Sequence, residues 1–176
     1  PHVIDVLEAM EAGAPVLHDN MITEGVEPAP EKTSNVAKRM ELGLGDVAAG
    51  FAAADVVVER EFRTKPVHQG YIEPHAAVAS VTEDGHADVW SSSQGHFMVR
   101  SFCATLLDMD ISKIKVTAAE LGGGFGGKTT VYMEPLAILL SRKSGRPVRL
   151  VMSRTEVFRA SGPTSGAVVR VKIGAS

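Results

Sequence analysis

The spacing of hydrophobic residues along the 176-residue chain predicts an alternation of short strands and helices. Alternating apolar and polar positions are typical of a strand with one buried face, whereas apolar positions three and four residues apart are typical of a helix. The predicted strands cover residues 36–42, 55–62, 76–81, 86–90, 113–118, 147–152 and 167–173. The predicted helices cover residues 46–54, 95–107 and 131–143, and a strand end runs into a short helix over residues 2–10.

Turn and cap residues support several of these boundaries. Asp46 stands where the N-cap of a helix is expected, and Gly145 stands where the helix at 131–143 would end. The Asp84-Gly85 step lies between two predicted strands and is typical of a hairpin turn. Strands and helices mixed in this order predict an α+β fold, with mixed sheets against which the helices pack.

The two ends of the chain predict that it is a fragment of a longer protein. The chain opens on a proline, and the strand at 167–173 has no later strand with which to pair. Residues 19–34 include Pro28 and Pro30 and show no period of 2 or 3.6 residues. We therefore expect these residues to form an extended connection.

Composition excludes several classes of function. The hydrophobic fraction of 44% and the charged fraction of 22% are typical of a globular protein. The net charge is -3 and no basic patch is visible, which argues against nucleic-acid binding. The single cysteine, Cys103, excludes an internal disulfide, and it fits a reducing compartment, so we expect a cytoplasmic protein. No apolar segment approaches the roughly 18 residues of a membrane span.

Five of the 17 glycines fall within residues 122–127, here called the glycine loop. The loop follows a predicted strand and precedes a predicted helix, where backbone N–H groups can approach an anion such as phosphate. Residues 122–129, from Gly122 to Thr129, fit the P-loop pattern of nucleotide-binding proteins, with Lys128 as its lysine. Gly122, Gly124 and Gly127 also fit the dinucleotide fingerprint.

The surrounding sequence weakens both nucleotide motifs. A P-loop enzyme needs an acid after a neighbouring apolar strand, but the strand at 147–152 is followed by Ser153-Arg154. The dinucleotide motif needs an acid about 20 residues beyond the loop, where residues 144–147 read Ser-Gly-Arg-Pro. A loop without any ligand, in a scaffold domain, is the third interpretation. The isolated Phe125 favours a loop that presents one specific side chain.

Four segments resemble the molybdenum hydroxylases, the xanthine dehydrogenase and aldehyde oxidase family that includes the large subunit of aerobic carbon monoxide dehydrogenase. Residues 121–128 resemble the glycine-phenylalanine loop of this family. Residues 90–94 resemble its segment that brings a glutamine to the molybdenum site, and residues 68–76 resemble its Glu-Pro-His stretch. Residues 145–149, followed by 154–156, resemble the stretch after the loop.

The resemblance implies a molybdopterin cofactor, in its cytosine dinucleotide form, that carries molybdenum on pterin sulfurs and not on side chains. Gln94 would hydrogen-bond to an oxygen of the metal centre. Gly124, Phe125, Gly126 and Gly127 would approach the cofactor with their backbone. The implied activity is an oxidoreductase that hydroxylates aldehydes, N-heterocycles or a related small substrate with water as the oxygen source.

The resemblance also implies what the chain lacks. The catalytic glutamate is expected in later sequence, so no catalytic residue is assigned here and the isolated chain is expected to be inactive. The partners would be the rest of the large subunit, an iron–sulfur subunit with a 2Fe-2S cluster and an FAD subunit. Residues 1–18 would be the tail of a hammerhead-like domain, 19–34 a linker and 35–176 the first half of the molybdopterin-binding domain.

Other notable side chains have simpler interpretations. Xanthine-oxidising members carry a glutamate where this chain has Thr129, which argues against a purine substrate. Glu73 and His75 are expected to hydrogen-bond within the fold rather than to act as an acid and a base. Cys103 is expected in the core, and Trp90 is expected in the core or at a contact between subdomains.

Overall fold

The computed structural model describes residues 3–176 and contains helices and strands in mixed order. The helices are α1 (Val6–Ala9), α2 (Val47–Ala53), α3 (His96–Leu107), α4 (Glu134–Ser144) and α5 (Arg154–Ala160). The strands are β1 (Val56–Thr64), β2 (Ala76–Val81), β3 (Ala87–Ser91), β4 (Ile114–Ala118), β5 (Val148–Val151) and β6 (Ala167–Ala175). A 3₁₀ turn at Ile111–Lys113 precedes β4. Within the described residues, no helix is long and apolar enough to cross a membrane.

A four-stranded mixed sheet in the order β4-β3-β2-β5 carries the site region. Strand β2 pairs antiparallel with β3 and with β5, whereas β3 and β4 are parallel. Helix α3 makes the connection between the two parallel strands, because parallel neighbours need a crossover and cannot be joined by a hairpin. The α+β fold with mixed sheets and packed helices is confirmed.

The hydrophobic core lies between this sheet and helices α3 and α4. Its buried members come from the sheet and from both helices: Ala79, Ala87, Val89, Val99, Cys103, Ile114, Ala137 and Ile138. Burial, aided by the nearby Glu134 charge, raises the pKa of the Cys103 thiol to about 12. Cys103 is therefore a protonated core residue, as the sequence predicted.

The described chain divides into two compact units. One runs up to Val58 and includes Ile173–Ser176, and the other is Glu59–Lys172. The first unit contains α1 and α2, and the second contains the four-stranded sheet with α3, α4 and α5. Strands β1 and β6 form a separate two-stranded sheet. The expectation that the strand at 167–173 lacks a partner is therefore wrong.

Most predicted elements are present. Asp46 caps α2, since its carboxylate accepts a hydrogen bond from the Ala49 N–H at 2.9 Å. The hairpin between β2 and β3 turns where it was predicted, with Gly85 at φ +85°. Gly145 ends α4 in the left-handed conformation, at φ +65°. The connection at 19–34 contains no helix, and only Glu24 in it makes a strand-like bridge.

Several boundaries differ from the prediction. The strand predicted at 36–42 is wrong, because only Lys38 pairs, in a single bridge to Glu24, and no neighbouring strand continues the ladder. Of the strand end and helix predicted at 2–10, residue 2 lies outside the described residues, residues 3–5 are not a strand, and α1 is present. Helix α5 was not predicted, although Ser153 and Glu156 form a capping box, which is typical of the start of a helix.

The helix predicted at 131–143 begins later, at Glu134. The Glu134 carboxylate turns back and accepts hydrogen bonds from the N–H groups of Tyr132 and Met133, at 2.9 and 3.1 Å. These two donors are thereby satisfied outside the helix, and the first helical turn starts after them. The glycine loop therefore does not lead directly into a helix.

Ser141 of α4 joins the sheet to the turn after the helix. Its side chain is fully buried, accepts a hydrogen bond from the Val81 N–H at 2.9 Å and donates one to the Arg146 carbonyl at 2.8 Å. One hydroxyl thus provides a hydrogen-bond partner both for the N–H at the end of β2 and for a carbonyl in the turn before β5. No longer or apolar side chain could serve both groups in this space.

We predict that Ser141→Ala lowers the free energy of unfolding by about 1–3 kcal/mol, because the Val81 N–H loses its partner and the Arg146 carbonyl keeps only the longer hydrogen bond from Ser144. Urea denaturation of the variant and the parent chain measures the difference. Ser101→Ala, at an exposed position on α3, is the matched control and should leave the midpoint unchanged. Equal midpoints for Ser141→Ala and the parent would contradict the bridging role.

Candidate functional site

The site lies where two parallel strands end at the same edge of the sheet. Gln94 follows β3, and the glycine loop follows β4. Because β3 and β4 run parallel, their carboxyl ends and the segments after them lie together. The sheet topology therefore brings two of the four resembling segments into contact.

The glycine loop contains a tight turn centred on Phe125. The Gly127 N–H donates to the Gly124 carbonyl at 2.7 Å, and the two central residues, Phe125 and Gly126, have φ of +50° and +84°. Positive φ at both central positions is the pattern of a type I′ turn. A bulky residue seldom adopts this conformation, and such strained residues concentrate at functional sites. The Phe125 side chain is 72% exposed, so its own burial does not offset the strain.

Gln94 is hydrogen-bonded into this loop by its side chain and its backbone. Its Oε1 accepts from the N–H groups of Gly126 and Lys128, at 3.0 and 3.2 Å. Its own N–H donates to the Lys128 carbonyl at 2.8 Å. At Gly124, a Cβ would lie only 2.3 Å from Gln94 Oε1. Gln94 can keep this conformation only while residue 124 is a glycine, because its side chain occupies the space that a Cβ would need.

These contacts determine which groups of the site remain available to a ligand. Both acceptor positions of Gln94 Oε1 are used, so its Nε2 points away as a donor, and no hydrogen bond among residues 3–176 uses it. The Phe125 N–H is likewise without a partner in the described chain. The Gly126 N–H, which the resemblance implied for the cofactor, is taken by Gln94. The site thus offers neutral donors that fit a ligand with exposed oxygen acceptors.

Three buried serines at 91–93 hold the segment that carries Gln94. Each hydroxyl reaches a different part of the fold: Ser91 donates to the Glu134 carboxylate, Ser92 accepts from the Ala76 N–H at 3.0 Å, and Ser93 donates to the Lys128 carbonyl at 3.1 Å. From the sequence, these serines were predicted only as part of a motif, and Glu134 was not singled out. A run of three serines between an apolar strand and a glutamine was the signal that could have indicated buried anchors.

Lys128 points into the protein, away from the place where a nucleotide phosphate would bind. Its side chain is 0% exposed, and Nζ lies 2.7 Å from Glu73 Oε2 and 4.9 Å from the centroid of the Tyr71 ring. The lysine of a P-loop must reach the phosphates, and the loop must lead into a helix. Neither condition is met, so the P-loop interpretation of residues 122–129 does not fit the structure.

Glu73 is an ionised partner of Lys128 and of the loop backbone. Its Oε2 also accepts a hydrogen bond from the Gly122 N–H at 2.8 Å. Partial burial acts to raise the pKa of Glu73, but the hydrogen bonds from Lys128 and from the Gly122 N–H outweigh it and lower the pKa. A carboxylate with a lowered pKa is a poor proton donor near neutral pH.

His75 belongs to a chain of hydrogen bonds between buried side chains. The Tyr71 hydroxyl lies 2.6 Å from His75 Nε2 and 2.9 Å from the Ser161 hydroxyl. Burial, together with the nearby Lys128 charge, lowers the pKa of His75, so the imidazole is neutral. The prediction that Glu73 and His75 hydrogen-bond within the fold is confirmed.

Arg154, Thr129 and Trp90 are the remaining residues that the sequence singled out. The Arg154 guanidinium donates to the Ile72 carbonyl, which ties the segment after the loop to residues 68–76. The Thr129 hydroxyl donates to the Gly126 carbonyl at 3.2 Å. Trp90 is 44% exposed, so it does not lie in the core. The other expectation, a contact between subdomains, stays a prediction. No group of three or more His, Cys, Asp or Glu side chains in residues 3–176 could hold a metal ion.

Comparisons with known proteins identify the family of the chain. Residues 28–176 match the molybdopterin cofactor-binding domain. The chain is 32% identical over 141 residues to a probable xanthine dehydrogenase component from Bacillus subtilis (strain 168), a match that covers 80% of this chain and 19% of that protein. It is 32% identical over 149 residues to the nicotinate dehydrogenase large molybdopterin subunit of Eubacterium barkeri, a match that covers 85% of this chain and 35% of that protein.

The fold also has a solved counterpart. The reconstituted CO dehydrogenase from Oligotropha carboxidovorans superposes with a TM-score of 0.69 and 26% identity, over 100% of this chain and 22% of that chain. The chain therefore spans between 19% and 35% of the lengths of these three proteins. The match over residues 28–176 confirms the resemblance to the molybdenum hydroxylases, and the chain belongs to the molybdopterin cofactor-binding domain family.

Proposed function

We propose that the chain forms one wall of the molybdopterin site in the large subunit of an oxidoreductase. The observation that carries this proposal is the Gln94 amide, which two loop N–H groups hold with its own donor directed outward. When bound, the molybdenum cofactor would supply the redox chemistry. The complete enzyme would hydroxylate an aldehyde, an N-heterocycle or a related small substrate, with water as the oxygen source.

Gln94 would contribute one hydrogen bond to an acceptor oxygen of the cofactor's metal centre. Its direction follows from the amide, because Oε1 is already occupied and only Nε2 is left to donate. A neutral amide gives such a bond without adding a charge beside a redox centre. The Phe125 N–H would be a second donor, from the exposed turn of the loop. Gly124, Gly126 and Gly127 would allow the backbone to lie close to the cofactor.

Thr129 favours a substrate other than a purine. A hydroxyl that already donates to the Gly126 carbonyl offers no negative charge to a purine ring. Of the two relatives described above, one is named for xanthine, which is a purine, and the other for nicotinate, which is an N-heterocycle but not a purine. An aldehyde, an N-heterocycle other than a purine or a related small molecule is the substrate class that we propose for the complete protein.

The rest of the enzyme completes this proposal. Residues 35–176 would be the first half of the molybdopterin-binding domain, residues 1–18 the tail of a hammerhead-like domain and residues 19–34 the linker between them. The catalytic glutamate would come from later sequence. An iron–sulfur subunit and an FAD subunit would remove the electrons, and the cofactor would be the cytosine dinucleotide form. The free, buried Cys103 suits a reducing cytoplasm.

The direct test is metal and pterin analysis of the complete subunit. We predict stoichiometric molybdenum with a releasable pterin, and no oxidation of any substrate by the 176-residue chain alone. Tight binding of ATP that disappears in Lys128→Ala, without molybdenum, would instead support the nucleotide-binding alternative. A folded complete subunit with neither ligand would support the scaffold alternative.

We predict that Gln94→Glu lowers kcat of the complete enzyme by at least about tenfold, because a carboxylate has no N–H donor and adds a negative charge. The glutamate oxygens can still accept the two loop N–H groups, so the denaturation midpoint should stay close to that of the parent. Steady-state kinetics and urea denaturation measure the two effects. Unchanged kcat in Gln94→Glu would show that the Nε2 donor is not used.

We predict that Gly124→Ala expels the Gln94 side chain, since the new Cβ would lie 2.3 Å from Oε1 and 2.5 Å from Cδ. Gln94 is exposed and can swing outward, so stability should fall by less than about 1 kcal/mol. Molybdenum content of the complete subunit should fall strongly.

The matched control for Gly124→Ala is Gly50→Ala, on α2. A Cβ at Gly50 has no atom within 4 Å, and alanine in a helix should stabilise the protein by about 0.5–1 kcal/mol. The control should retain full molybdenum. Full occupancy in both variants would refute the close packing of Gln94 against the loop as a requirement for the cofactor.

A further inference from the structure

A single carboxylate oxygen joins the two ends of the glycine loop. Glu73 Oε2 accepts the Gly122 N–H at 2.8 Å and the Lys128 Nζ at 2.7 Å. Gly122 is the first residue of the loop, and Lys128 is the residue that follows it. Residues 122 and 128 are thus held to one atom of a third segment. We call this arrangement the Glu73 bridge, and none of its side chains has a role in the proposed contact with the cofactor.

Lys128 connects the Glu73 bridge to Gln94. Its side chain reaches Glu73, while its N–H donates to Gln94 Oε1 at 3.2 Å and its carbonyl accepts the Gln94 N–H at 2.8 Å. Two of the three hydrogen bonds that join Gln94 to the loop therefore depend on the position of one residue. Any displacement of the Lys128 backbone alters the direction of the Gln94 amide.

Burial makes the position of Lys128 hard to change. The Lys128 side chain is 0% exposed, its Nζ also lies 3.4 Å from the Pro74 carbonyl, and the Glu73 side chain is 32% exposed. An ion pair of this kind gives little net stability compared with apolar side chains, although loss of one partner leaves an uncompensated buried charge. Such a pair is better explained by the geometry that it imposes than by its contribution to folding.

We propose that Glu73 is a positioning residue, which holds the ends of the glycine loop together through Gly122 and Lys128 so that Gln94 and Phe125 face the cofactor. Lys128 acts as the connecting member of the bridge and does not bind a phosphate of the cofactor. This inference rests on the proposed function, since the cofactor is the group that the loop would receive.

Three variants of the complete subunit separate positioning from stability. Glu73→Ala and Lys128→Met each break the bridge and leave one charge unpaired. The double variant E73Q/K128M also breaks the bridge but leaves neither charge, and its glutamine can still accept the Gly122 N–H. Ser141→Ala is the matched control, because it removes a buried polar side chain that has no contact with the loop.

The first measurement needs no cofactor. Amide hydrogen exchange over residues 122–128 of the cofactor-free subunit, followed by mass spectrometry, should be about tenfold faster in Glu73→Ala and in the double variant than in the parent. Ser141→Ala should exchange like the parent in this segment. Parent-like exchange of the loop in Glu73→Ala and in the double variant would overturn the bridge.

The second measurement compares molybdenum and pterin content with the urea midpoint of each variant. The single variants should lose both stability and cofactor. The double variant should recover the midpoint while its cofactor content stays about tenfold below that of the parent, because the loop is no longer pre-organised for binding. Recovery of midpoint and cofactor together would show a purely structural role and overturn the proposal.

The molybdenum content of the parent subunit distinguishes failure of the proposed function from failure of the positioning role. A parent without molybdenum would refute the proposed function, and hydrogen exchange would still test whether the bridge orders the loop. A parent with molybdenum, alongside full occupancy in Glu73→Ala, would refute the positioning role alone. If the single variants do not fold, the double variant carries the test, because it contains no unpaired buried charge.

Discussion

The hydrogen bonds from the Gly126 and Lys128 N–H groups to Gln94 Oε1 are the interaction on which the rest of the site depends. They direct the amide Nε2 outward, and they place the side chain where residue 124 can have no Cβ. They also remove the Gly126 N–H from the set of available donors. The site therefore presents two specific hydrogen-bond donors, the Gln94 Nε2 and the Phe125 N–H.

The sheet makes this interaction possible. Helix α3 connects β3 to β4 as parallel neighbours, so Gln94 and the glycine loop emerge from the same edge. The buried serines at 91–93 then fasten the first of these segments to a helix, to a neighbouring strand and to the end of the loop. A functional loop supported by a rigid sheet can retain a strained residue such as Phe125.

The charged side chains near the glycine loop pair with each other inside the protein and do not face the ligand surface. Lys128 is neutralised by Glu73, and the neutral His75 lies in the same buried region. The groups left exposed by the loop are a neutral amide and a backbone N–H. This arrangement differs from a phosphate cradle, in which a free lysine meets the ligand. It suits a cofactor whose charge and redox chemistry reside in its own metal centre and pterin.

The α+β class, most strands and helices, and the family could be read from the sequence, because hydrophobic periodicity and short motifs are local properties. The sequence could not exclude a P-loop, since the glycine spacing is the same whether Lys128 points inward or outward. The folded chain sets that direction, because Glu73 approaches Lys128 from a segment 55 residues away. It also moved the start of α4 to Glu134 and exposed Trp90, because both depend on which neighbours pack there. Long-range contacts have no signature in a single sequence, so the chemical role of each loop residue became readable only after folding.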